Sequence, residues 1–129
     1  MNKALDWMVF AKEDLSMARI ALREGIVNQA CFHAQQGVEK AFKAYLRFQR
    51  RSVPKTHSLT ELLEICKVTD KSFEKFTGAS LRLDRYYIPT RYPDALPGIA
   101  PEGMPTPEEA GEAVKILEEI ADWIDQKIR

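Results

Sequence analysis

The stretch that most constrains the fold runs from about Asn28 to Arg50, where apolar side chains recur at steps of three and four. On a helical wheel, Val27, Ala30, Cys31, Ala34, Val38, Ala41, Tyr45 and Phe48 fall within about 100° of arc, the pattern of an amphipathic helix. The opposite arc holds His33, Gln36, Lys40, Lys43, Arg47 and Arg50, and Phe32, Phe42 and Leu46 form an apolar shoulder between the two. Small residues at Ala30, Ala34, Gly37 and Ala41 let another backbone come close. Such a helix is expected at the centre of a bundle.

Its neighbours read in the same way. A first helix spans about Lys3 to Glu24 and stops at Gly25, the usual residue for a left-handed helix end. Trp7, Met8, Ala11, Leu15, Ala18 and Leu22 share one face, and Val9 and Ile20 lie off it, so a second neighbour is expected there. Ser58 and Glu61 have the spacing of a reciprocal capping box and open a third helix with Leu59, Leu62, Leu63 and Cys66. Asp70 caps a fourth, which carries Phe73, Phe76, Leu81 and Leu83 and reaches Arg85 or Tyr86. Thr106, Pro107 and Glu109 open a fifth, whose apolar side is Ala110, Ala113, Val114, Leu117, Ala121, Ile124 and Ile128. Strand-like alternation is absent. The expectation is an all-α, up-and-down bundle of four to five helices, one domain over residues 1–129, with a long Pro-rich loop before the last helix.

Charge narrows the partners. Nineteen basic residues balance nineteen acidic ones, so attraction to a polyanion has to come from local clustering. A basic ridge of Lys40, Lys43, Arg47 and Arg50 is the candidate cluster, facing either a phosphate backbone or an acidic partner. Cys31 and Cys66 lack metal or redox spacing and read as reduced, buried thiols. No metal or cofactor is expected. With no leader-like or membrane-spanning run, a cytoplasmic protein without membrane attachment is expected.

The fifth helix is preceded by Tyr86-Tyr87-Ile88-Pro89-Thr90-Arg91-Tyr92-Pro93-Asp94, with further prolines at 97, 101 and 105. Each proline removes a donor and clashes with the turn before it, so no helix passes through. Three tyrosines and an isoleucine make the first half too apolar for a solvated linker. Residues 86 to 94 are expected against the helices, presenting Arg91, with Gly98 to Gly103 mobile. A guanidinium offers planar, bidentate donation to phosphate. The tyrosines offer flat faces for a base, and Arg85 adds positive potential. The candidate nucleotide or phosphate site is therefore Arg85, Tyr87, Thr90, Arg91, Tyr92 and Asp94. Pairing of Arg91 with Asp94 or Asp84, as a staple of the loop, is the structural alternative. His57 reads as a locally hydrogen-bonded helix-start residue and His33 as a satisfied surface or interface residue, and catalytic residues stay unassigned.

Three blocks taken together resemble the HEPN family (higher eukaryotes and prokaryotes nucleotide-binding domain). They are Ala30-Cys31-Phe32-His33-Ala34-Gln35-Gln36-Gly37-Val38-Glu39-Lys40-Ala41-Phe42-Lys43, Thr56-His57-Ser58-Leu59, and the Thr90-Arg91-Tyr92-Pro93-Asp94 segment. The resemblance implies a helical bundle that often dimerises, nucleotide or RNA as ligand rather than DNA, and a small nucleotidyltransferase as partner in a toxin–antitoxin-like pair. The family's ribonuclease toxins carry an arginine a few residues ahead of a histidine, late in the bundle. Here no histidine follows His57, and Arg51 and His57 match that spacing only in the connector before the third helix.

The leading expectation is a dimeric nucleotide- or RNA-binding bundle working beside a nucleotidyltransferase. A metal-independent endoribonuclease toxin is one alternative. A pure protein-interaction module, docking through Phe32, Phe42 and Leu46, is the other.

Overall fold

A computed structural model describes residues 3–87, 96–100 and 102–129. They form the expected all-α bundle of five helices: α1 (Lys3–Arg23), α2 (Val27–Phe48), α3 (Leu59–Thr69), α4 (Thr77–Asp84) and α5 (Pro107–Lys127). A short 3₁₀ turn at Lys71–Phe76, capped by Asp70, leads into α4, so the fourth expected helix is two pieces. There is no strand among the described residues, only an isolated bridge between Ala100 and Gly103.

The largest interface joins α1 to α2, and the next joins α2 to α5. Asp14 of α1 meets His33 and Lys40 of α2, and Trp7, earlier in α1, meets Lys43. The two helices are therefore antiparallel. Lys12 pairs with Asp125 and Arg19 with Glu118, so α1 also runs against α5. The close approach rests on Gly37: a Cβ there would lie 2.5 Å from a Leu117 methyl on α5.

The connector after α2 doubles back. Gln35 donates to the His57 carbonyl, the Cys66 thiol reaches the Phe42 carbonyl, and Tyr45 meets Thr69. Rising pairs of numbers on both helices show that α3 runs parallel to α2. That path brings His57 beside the middle of α2 rather than its end.

Phe73 from the 3₁₀ turn fills the gap this leaves. Its ring lies 6.0 Å from Phe42, 4.5 Å from Tyr45 and 4.9 Å from Trp123 of α5. Phe42 and Leu46 are fully buried, which removes the expected docking shoulder: with Phe73 across them, two of its three side chains belong to the core. Phe48, placed on the apolar arc, is instead exposed, because it is the last residue of α2. Apolar surface is exposed elsewhere, at Val9, Phe10, Met17 and Ile20 along the outer side of α1. No helix among the described residues is long and apolar enough to cross a membrane.

Both ends of the proline-rich segment are tied down. Tyr86 is buried, and its carbonyl accepts from the Gly98 N–H at 3.1 Å. Gly98, expected in a mobile stretch, is buried against the start of α2 with φ 83°.

Candidate functional site

Two carboxylates on α1 and α2 interrupt apolar faces, and each holds a histidine. Asp14 continues the step from Ala11 to Ala18 and is almost wholly buried. It accepts from Lys40 Nζ at 2.6 Å, and its other oxygen lies 2.9 Å from His33 Nδ1. Glu39 lies within the apolar shoulder, between Phe32 and Leu46 on the helical wheel, and is also buried. It accepts from Lys43 Nζ at 2.8 Å, with its second oxygen 3.1 Å from His57 Nδ1. A carboxylate only accepts, so Nδ1 carries the proton in both pairs and Nε2 is turned away from the acid. The His57 side chain is 48% accessible and that of His33 23%, so both imidazoles are open to a ligand while the carboxylates behind them are not.

His57 is held from three further directions. Its carbonyl accepts from Gln35, which in turn accepts from Gln36 at 2.7 Å. Its ring stacks on Tyr87 at 4.7 Å with 26° between planes. Behind it, Asp84 at the end of α4 accepts from the backbone N–H groups of Leu59 and Thr60 and from the hydroxyls of Thr60 and Ser58. Ser58 does accept from the Glu61 N–H, but the expected return bond is not made: the Ser58 N–H donates to Thr56 Oγ1, and Asp84 takes the next two N–H groups. A carboxylate on orphan N–H groups at a helix start is favourable by charge as well as by hydrogen bonding. Asp84 is thus committed to α3.

Several expected site residues have moved. Arg85 ion-pairs with Glu102, and both side chains remain about half exposed. Lys43, expected on a solvent-facing ridge, is buried on Glu39 with its ammonium 5.7 Å from the Trp7 ring. Lys40 is taken by Asp14, whereas Arg47 and Arg50 are exposed. Of the expected loop residues, Tyr87 joins His57, while Thr90, Arg91, Tyr92 and Asp94 lie outside the described residues. The sequence reading missed Asp14 and Glu39 as anchors and underrated His57. The available signal was a carboxylate at an apolar position of the helical wheel, which needs a partner when buried.

His33 and His57 flank α2 on different sides. Positions 33 and 39 are separated by ~9 Å of helix rise, with Gln36 between them. The arrangement is two imidazole–carboxylate pairs, each able through Nε2 to donate to a phosphate oxygen when protonated or to accept from a hydroxyl when neutral. A shallow hollow of about 420 Å³ near Trp7 is lined by Lys3, Asp6, Val9 and Phe10. No cluster of metal-ligating side chains occurs among the described residues.

The HEPN domain model matches residues 4–127. The candidate toxin MJ1304 of Methanocaldococcus jannaschii is 31% identical over 130 residues, covering 91% of this chain and 85% of that protein. Among solved structures, ST0689, an archaeal HEPN homologue, superposes with TM-score 0.78 at 32% identity and full coverage of both chains. TT1696 from Thermus thermophilus does so with TM-score 0.74 at 36% identity, covering 98% of this chain and 99% of that one. With the family model matched over nearly its whole length, and with the bundle to go with it, this chain belongs to the HEPN family.

Proposed function

We propose that this protein is a toxin-like HEPN protein that binds nucleotide or RNA phosphate through the polar side of α2. One observation carries the reading: a half-exposed His57 is fixed by a buried glutamate through Nδ1 and backed by the Tyr87 ring. Fixing costs entropy and burying Glu39 costs desolvation, and neither serves an imidazole that only faces water. A protonated Nε2 donates to a phosphate oxygen, and the outer ring faces stack on a base. Arg91, with Thr90, Tyr92 and Asp94, stays in the proposed ligand set on its sequence alone. The likeness to MJ1304 supports the toxin class.

The protein acts as a homodimer beside a separate minimal nucleotidyltransferase. The nucleotidyltransferase follows from the family resemblance. Support for the dimer is the exposed stripe Val9, Phe10, Met17 and Ile20, more apolar surface than a helix facing water usually carries.

Titrating the protein with ATP, GTP and a short RNA, beside His57→Gln and Arg91→Ala, tests the site. Wild type is expected to bind at least one ligand about tenfold more tightly than either variant. Equal affinity across all ligands sinks the reading.

The carboxylate-held imidazole also favours a second reading, metal-independent cleavage of RNA. His57 Nε2 would take the ribose 2′-OH proton as the 2′-oxygen bonds to phosphorus. The 5′-oxygen would leave, protonated by water, giving a 2′,3′-cyclic phosphate. RNA that stays intact under excess protein in EDTA disposes of it. Binding is preferred, because His33 and His57 are held by separate carboxylates, with ~9 Å of helix rise between positions 33 and 39 of α2.

A further inference from the structure

Between Lys40 and Glu61 the chain carries no carboxylate, although acidic and basic residues balance overall. Lys40 and Lys43 in that span are neutralised by Asp14 and Glu39. The other four cations, Arg47, Arg50, Arg51 and Lys55, have no carboxylate partner among the described residues. Arg47, Arg50 and Lys55 are exposed, and Arg51 is half-buried. The ridge read from sequence is therefore displaced: its first half is internally compensated, and its open charge lies over the end of α2 and the connector.

A second observation comes from the backbone. α1 and α2 end in the same hydrogen-bonded turn. In α1 the Gly25 N–H donates to the Leu22 carbonyl and the Ile26 N–H to Ala21. In α2 the Arg50 N–H donates to Arg47 and the Arg51 N–H to Leu46. The left-handed residue is Gly25 at φ 75° in the first turn and Arg50 at φ 59° in the second. Glycine enters that conformation freely, while an L side chain crowds its own carbonyl. Arg50 is the one non-glycine with positive φ among the described residues. Strain of this kind persists where something other than folding selects the side chain, and what arginine adds over glycine is a cation.

The third observation is continuity. From α2's end the connector returns to Glu39, ~14 Å back along the helix axis, with Lys55 two residues ahead of His57. The open cations thus lie on the end of α2 and on the connector, the stretch of chain that leads to the His57–Tyr87 stack.

We propose that Arg47, Arg50, Arg51 and Lys55 contact the backbone of an RNA strand whose path leads to His57 and Tyr87, so that a polynucleotide is the ligand rather than a free nucleotide. This rests on the reading of the His57 site above and deepens it. A mononucleotide needs only the His57–Tyr87 stack, whereas a row of uncompensated cations suits a polymer with a charge on every unit.

The test is fluorescence anisotropy with a labelled single-stranded RNA of about a dozen nucleotides, over a series of salt concentrations. Each lost phosphate contact lowers the slope of log K against log salt by about 0.7 for a single strand. The quadruple variant Arg47→Gln, Arg50→Gly, Arg51→Gln, Lys55→Gln is expected to lower it by about 2 to 3 and to leave ATP binding as in wild type. Arg50→Gly alone is expected to weaken RNA binding several-fold while Tm stays level or rises. A role confined to folding would lower Tm instead, and that result overturns the assignment of Arg50. If the quadruple variant keeps wild-type affinity and slope while His57→Gln loses RNA, the strand path is wrong and the His57 site stands. If wild type binds ATP but no RNA, the polynucleotide is wrong. If it binds neither, the site reading falls too. Polyglutamate bound as tightly as RNA, with the same slope, would reassign the surface to an acidic protein.

Discussion

Glu39 accepts from Lys43 one turn further along its own helix, at 2.8 Å, with both side chains nearly inaccessible to water. A buried ion pair adds little net stability, because desolvation offsets the attraction, but breaking it strands a charge. Glu39→Gln is therefore expected to destabilise the fold by about 3 kcal/mol in urea denaturation. The double variant Glu39→Leu, Lys43→Met should recover most of that loss while leaving His57 unheld. Recovered stability together with recovered ligand binding would show that the pair has no part in the site.

The two cysteines are free and buried, and burial raises both thiols, Cys31 to about 11 and Cys66 to about 12. Neither is expected to react with a disulfide reagent at pH 8 in the folded protein, and both should react at once in urea. Tyr86 is raised to about 12, again chiefly by burial. All three folded values lie above their unfolded ones, so the folded state holds these protons longer. Their contribution is complete below about pH 9 and lost as pH rises through 11 to 12. A melting temperature already falling between pH 7 and 8.5 would contradict this.

Gly98 combines a positive φ with a close contact: a Cβ there would lie 1.9 Å from the Asn28 carbonyl oxygen. The obstacle is backbone, and Gly98 cannot retreat without giving up its bond to the Tyr86 carbonyl. Gly98→Ala is expected to cost about 2 kcal/mol or more, read by thermal or urea unfolding. Gly111, in the second turn of α5 with nothing near its missing Cβ, is the control: Gly111→Ala should stabilise by up to about 1 kcal/mol.

Asp70 ties the 3₁₀ turn to the end of α5. The Lys127 ammonium, 2.7 Å away, and bonds from Ser72 lower its carboxyl to about 2. The folded value lies below the unfolded one, so this contribution is present above about pH 4 and lost as pH falls toward 2. Both partners are partly exposed, and solvent screening keeps the effect to about 1 kcal/mol or less. Asp70→Asn should flatten that part of the acid limb. An unchanged acid limb would place the proton uptake elsewhere.

The helices were legible because each carries its own evidence. Apolar spacing marks α1, α2 and α5, and Thr106 with Glu109 makes the reciprocal cap that begins α5. What the sequence hid was the path between them. Nothing local in residues 49–58 says that the connector folds back along α2, and from that return follow the burial of Lys43, the pairing of His57 with Glu39 and the stack on Tyr87. Asp84 was likewise unreadable as a cap for α3, since the residues it serves lie about 25 positions away, beyond the reach of local capping rules. Arg85 looked free for phosphate because its partner, Glu102, lies across the proline-rich segment.

The left-handed Arg50 has a consequence for anyone improving this protein. A library screened for heat resistance alone should reach glycine at position 50 early, because it removes crowding that Gly25 avoids at the matching turn. Such a screen would count the change as gain and would not register that a positive charge had left the surface. Variants bred for endurance should therefore be assayed on RNA before their robustness is taken as improvement.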